Sequence, residues 1–134
     1  MSESENSVSP QETITRYLFS ERLYAATRGR VKYPAFLPRN GETSVFRIDN
    51  IRDEEIWDLG DEVGNKGGRA LRARGDLISS NVFDEGLEIK PDRSEHSLHA
   101  NIVGWPSQKG KIILLATSLA EKAKLKLKPS HELP

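Results

Sequence analysis

Cysteine is absent from this chain of 134 residues, and with it go disulfides, thiolate zinc sites and any cysteine nucleophile. Net charge is absent too: 20 basic residues balance 20 acidic ones, which argues against a dedicated DNA coat protein. No apolar run approaches the roughly 20 residues that a bilayer-spanning helix needs, so a membrane helix is excluded and no membrane partner is expected. Apolar residues are few, 36%, against 30% charged, which leaves a thin core under a heavily solvated surface. The opening residues, Met1-Ser2-Glu3-Ser4-Glu5-Asn6, are polar and acidic, the opposite of a signal or transit peptide. Together these features lead to the expectation of a cytoplasmic protein.

Several chemical signatures are missing as well. Gly67-Gly68-Arg69 lacks the Lys-Ser/Thr ending of a Walker loop, and no dinucleotide-binding fingerprint occurs. There is no Gly-x-Ser-x-Gly elbow, no Ser/His/Asp order and no carboxylate pair marked out for acid–base work. Arg74-Gly75-Asp76 spells an adhesion tripeptide but reads here as a strand-to-turn junction.

What is present is charge in blocks. Residues 16–52 carry eight basic side chains (Arg16, Arg22, Arg28, Arg30, Lys32, Arg39, Arg47 and Arg52) against three acids. Six acids and no base fill 53–62, and six lysines with one glutamate fill 109–128. Such blocks either pair within the fold or present opposed faces to partners.

Patterning points to an α+β fold: a mixed or antiparallel sheet of about four or five strands with two main helices. Residues 1–12 read as a disordered tail, 13–128 as one domain and 129–134 as a C-terminal tail. Tyr17, Leu18, Leu23 and Tyr24 recur at helical spacing between Ile14 and Ala26. Val31–Leu37 reads as extended chain, Asn40-Gly41 as a turn, and Ser44–Ile48 as the strand it leads into. Asp53–Val63 is a helix with Asp53 as N-cap and Gly64 as its end. Arg69–Ser79 favours strand by the alternation of Leu71 and Ala73 with Arg72 and Arg74. Strands follow at Leu87–Lys90 and His99–Trp105. A last helix begins near Ser107 or Gly110, runs through Ile112, Leu115, Ala116, Leu119 and Ala123, and gathers lysines 122, 124, 126 and 128 at its negative end before Pro129.

The string His96-Ser-Leu-His-Ala-Asn-Ile-Val-Gly-Trp-Pro106 is the richest in polar chemistry, because each polar group in an apolar run must find a partner or an exposed face. Strand periodicity puts His99, Asn101, Val103 and Trp105 on one face. His99 is the candidate general acid or base. A metal at His96 and His99 would need a third ligand from Glu95, Asp92, Glu85 or His131, none at a recognised spacing, so neither metal nor cofactor is expected. Arg47, Arg72 and Arg74 join His99, Asn101 and Trp105 as candidate binding residues. Arg28, Arg30 and the Gly67-Gly68-Arg69 segment have the composition of an anion cradle. Tyr17, Tyr24, Tyr33 and Phe36 interleave with the first basic block as they would in a single-strand nucleic-acid binder.

Arg30-Val31, Ala35-Phe36-Leu37-Pro38, Ser44-Val45-Phe46-Arg47, Glu55-Ile56-Trp57 and the string from His99 to Pro106 resemble segments of small uncharacterised bacterial proteins. The resemblance implies a bacterial cytoplasmic setting, and no activity or catalytic residue comes with it. The expected function is a non-enzymatic binding or accessory module for a protein or nucleic-acid partner. The alternative is a small phosphoester-directed enzyme, with His99 as general acid/base and Arg47, Arg72 or Arg74 on the phosphate.

Overall fold

The computed structural model describes residues 7–129. Along the chain come β1 (Thr13–Leu18), β2 (Tyr24–Ala25), β3 (Arg30–Val31), β4 (Thr43–Arg47), α1 (Asp53–Lys66), β5 (Ala73–Ile78), α2 (Ser79–Phe83), β6 (Glu88–Pro91), β7 (His99–Val103), α3 (Lys109–Lys122) and β8 (Lys124–Leu127). Six strands form one sheet in the order β6-β7-β4-β1-β5-β8, every neighbouring pair antiparallel, and β2 pairs with β3 in a small second sheet. The fold is α+β, with a larger sheet and one more helix than the sequence pattern indicates.

The helix expected from Ile14 is instead an interior strand. Thr13-Ile14-Thr15 and Tyr17 suit an extended backbone. Ile14 and Leu18 are buried on one face of β1, and Thr15 and Tyr17 on the other. With both faces covered, the burial pattern loses its period of two, which is how the helical spacing arises. Leu23 and Tyr24 belong to other elements: Ser20 caps a 3-10 turn over Glu21–Leu23, and Tyr24 opens β2.

One face of the sheet packs against α3, α2 and a 3-10 turn at Tyr33–Phe36, burying Ile14, Leu18, Phe36, Val45, Leu77, Ile102 and Leu119 among others. The other face packs against α1 through Tyr17, Phe46, Ile48, Ile56, Trp57, Leu59 and Leu71. Close approach explains the glycines of α1. A Cβ on Gly60 would sit 2.6 Å from the Tyr17 ring, and one on Gly64 2.5 Å from the Arg69 carbonyl. Gly64 is therefore a packing position rather than a helix end, and α1 runs on to Lys66, with Gly67 as its C-cap. Its N-cap is Arg52, not Asp53, whose carboxylate is drawn away to Arg74 and to the Trp57 indole.

The C-terminal lysines are redistributed as well. Helix α3 stops at Lys122, and Lys124-Leu-Lys-Leu127 is an edge strand paired with β5. Alternation of Lys and Leu has a period of two, and lysines on an edge discourage further strand pairing. The turn at Asn40-Gly41 forms as expected, with both residues at positive φ, but β4 pairs with β1 and β7 rather than with 31–37. Arg74-Gly75-Asp76 lies within β5, not at a junction.

The expected tail of 1–12 divides. Residues 1–6 lie outside the described residues, but Val8 is buried, and the carbonyls of Pro10 and Glu12 accept from Ser80 and Ser79 at the start of α2. Residues 130–134, with His131, also lie outside. Among the described residues, no helix is long and apolar enough to cross a membrane.

Candidate functional site

Strands β1 and β4 are paired only at Ile14–Arg47 and Thr15–Phe46, and beyond Thr15 they part. Arg16 fills the gap. Its Nε donates to the Ala35 carbonyl at 2.7 Å and its Nη1 to the Ser44 carbonyl at 2.9 Å, satisfying backbone acceptors that the ladder leaves open. A cleft of about 690 Å³ opens beside it, within the range of small-molecule sites. Arg16, Arg39, Arg69, Ser44, His99 and Asn101 all contribute to its walls.

Glu42, Asp92 and Glu95 line the cleft as well, but they form no ion pair with its arginines. Among the described residues, no carboxylate lies within ion-pair distance of Arg16, Arg39 or Arg69. Arg69 lies over the Phe19 ring, 4.3 Å from its centroid. Burial, and then the like charges of Arg69 and Arg39, lower the pKa of Arg16 to about 10, so it keeps its proton at neutral pH under electrostatic stress.

On the opposite wall, His99 opens β7 directly across the ladder from Phe46, and Asn101 lies across from Ser44. His99 is only 7% exposed and its ring stands 5.2 Å from that of Phe46. Nδ1 lies 3.0 Å from the Asp92 carbonyl oxygen, and Nε2 lies 2.8 Å from Ser44 Oγ. A carbonyl only accepts, so in the neutral ring Nδ1 carries the proton and Nε2 is bare. Ser44 Oγ–H then donates to Nε2. The Asp92 carboxylate is 3.7 Å from Nδ1 and accepts from the Asn101 amide at 3.4 Å. Hydrogen bonds from the Ser94 hydroxyl and amide hold this carboxyl below the usual range.

The six residues singled out from sequence do not form one site. His99 and Asn101 meet in the cleft. Trp105 does not join them: β7 ends at Val103, Gly104 turns at φ 90°, and the indole packs into the α3 side of the core with its N–H on the Ile102 carbonyl. Arg47 is bound to Glu12 and to the Ser7 carbonyl, fastening the N-terminal segment to the sheet. Arg72 meets Glu21 at the surface. Arg74 is 1% exposed, held between Asp53 and Asp76 and lying 4.5 Å from the Trp57 ring.

Sequence reasoning missed Ser44 and Asp92 as partners of His99, and it treated Arg16, Arg39 and Arg69 as parts of charge blocks. Alternation in Ser44-Val-Phe-Arg-Ile48 does put Ser44 on the Phe46 face, but its neighbour is fixed only by the β4–β7 register. Among the described residues, no group of three or more His, Cys, Asp or Glu is arranged to hold a metal. Compared with protein-family models, with curated proteins and with solved structures, the chain matches none of them.

Proposed function

We propose that this protein is a binding or accessory module of the bacterial cytoplasm whose partner presents phosphate groups to the arginine cleft. A nucleic acid has that chemistry. The observation that carries this reading is the convergence of Arg16, Arg39 and Arg69, none of them ion-paired among the described residues although Glu42, Asp92 and Glu95 also line the cleft, beside the polar wall of His99 and Asn101. Guanidinium groups match phosphate oxygens in pairs, and Arg16 is already held in place by two carbonyls, so little order remains to be imposed. A short single-stranded oligonucleotide, followed by fluorescence anisotropy, tests this directly. Binding should weaken with salt at a slope of about 0.7 per phosphate engaged. No binding at low salt, with a folded protein, removes the nucleic-acid partner.

One observation favours a second reading. The Ser44–His99 hydrogen bond points the bare nitrogen of His99 at a hydroxyl inside the arginine cleft. This supports a small phosphoester-directed enzyme with His99 as general acid/base, the phosphate contacts coming from Arg16, Arg39 and Arg69 rather than from Arg47, Arg72 or Arg74. Under this reading His99→Ala abolishes turnover of a phosphate ester while the unfolding midpoint stays measurable and cooperative.

A further inference from the structure

We infer that Ser44 is a covalent nucleophile, activated by His99, which takes a phosphoryl group from a phosphate ester and passes it to water. The inference rests on the second reading above and goes beyond it by naming the attacking atom and the intermediate. Three features of the structure converge on Ser44. Its hydroxyl is the donor to His99 Nε2, because the Asp92 carbonyl fixes the proton on Nδ1. Its own backbone carbonyl holds the Arg16 guanidinium, which brings an uncompensated cation to the residue that attacks. Ser44 is also half-buried and lines the cleft together with Arg39 and Arg69, so an ester bound by those arginines would share a cavity with it.

The step balances with water as the only co-reactant. Ser44 Oγ forms a bond to phosphorus as the bond from phosphorus to the leaving alcohol breaks. The Oγ proton goes to Nε2 and then to the departing oxygen. Water next attacks the phosphoseryl group, giving a proton to Nε2, and Oγ leaves and recovers it. His99 ends as it began, and the products are an alcohol and a phosphate. The Asp92 carboxylate, 3.7 Å from Nδ1, lies where the transient imidazolium carries its charge.

A structural Ser–His pair makes the same hydrogen bonds but no reactive oxygen, and a fluorophosphonate separates the two. This reagent presents an electrophilic phosphorus and loses fluoride when an activated serine attacks. The full chain should gain one adduct by intact mass, mapped to Ser44, and Ser44→Ala should gain none. His99→Gln should slow the labelling roughly 10²- to 10⁴-fold, the usual range for a general base. Circular dichroism of both variants confirms that they remain folded. Absence of an adduct on the wild-type chain, or an adduct at another serine, overturns the proposal without needing any variant to fold. So does labelling at Ser44 that ignores the loss of His99. Inorganic phosphate should protect Ser44; labelling that phosphate does not slow keeps the nucleophile and overturns only the arginine cleft as its phosphate site. Release of p-nitrophenol from p-nitrophenyl acetate but not from bis(p-nitrophenyl) phosphate overturns the phosphoester assignment.

Discussion

Arg74 and Arg16 lie on neighbouring strands of the central sheet, yet Arg74 is held between Asp53 and Asp76, while Arg16 hydrogen-bonds two carbonyls and faces two more arginines. Asp76 is itself held by the Thr15 hydroxyl and by Lys126, so Arg74 sits in a network of charges and hydrogen bonds on one face of the sheet, although its Nη1 is buried without a hydrogen-bond partner. Arg16, one ladder position away on the neighbouring strand and on the opposite face, lines the cleft with no ion pair among the described residues. A protein gains nothing for its own stability by collecting like charges without a counter-charge. Arg74 is therefore paired within the fold, and Arg16 with its two neighbouring arginines has the form of a site.

The largest expected effect lies at Arg74. Arg74→Met keeps much of the packing over Trp57 but strips the nearly buried Asp76 of its main cation. We expect a loss of about 3 kcal/mol in urea unfolding, with oligonucleotide binding unchanged. A loss below about 1 kcal/mol would mean that Thr15 and Lys126 suffice for Asp76, and the contrast between the two arginines would fail.

At the cleft the signs reverse. Arg39→Glu combined with Arg69→Glu should weaken phosphate or oligonucleotide binding by at least about tenfold, equivalent to about 1.4 kcal/mol. Stability should stay within about 1 kcal/mol of the wild type, because neither guanidinium has an ion pair to lose and Arg69 gives up only its place over the Phe19 ring. Equal binding by the double variant would sink the cleft as the anion site.

Acid sharpens the comparison further. Asp53, hydrogen-bonded by Arg74, and Glu85, bonded by Ser118 and then by Lys122, both have carboxyls held below their ordinary pKa. The folded state thus binds fewer protons than the unfolded chain. The stabilisation is present above the ordinary carboxylate range near pH 4 and is lost as pH falls through the lower folded values. Asp53→Asn should flatten the acid limb of a stability–pH curve, and an unchanged limb would show that this pair is inert. The smallest effect belongs to Arg72, half exposed beside Glu21. Arg72→Ala should move stability by no more than about 0.5 kcal/mol and leave binding alone.

How much of this was legible beforehand depends on the range of the interaction. Short-range signals read correctly: Asn40-Gly41 as a turn, α1 after Asp53, and extended chain near Ser44, Leu87 and His99. Patterns that depend on what covers each face read wrongly. The interior strand β1 imitated a helix because both its faces are buried, and the lysines of β8 imitated a helix terminus. His99 and Asn101 stood out because polar groups in an apolar run need partners. Which partners they find, Ser44 and Asp92, is set by register between segments tens of residues apart. Charge neutralisation is likewise a tertiary property: nothing in the block of 16–52 tells Arg47, bound to Glu12, from Arg39, bound to no acid.

The short junction between β1 and β4 has a mechanical meaning. Two ladder positions join them, against six between β1 and β5, so the sheet is two leaves meeting along a narrow seam. Arg16 is the pin through that seam, tied to the Ala35 and Ser44 carbonyls on its far side. Anything that clasps the pin also locks the leaves together. An occupant of the cleft should slow amide exchange in Thr43–Arg47 and Thr13–Leu18 alike, turning a hinge into a brace.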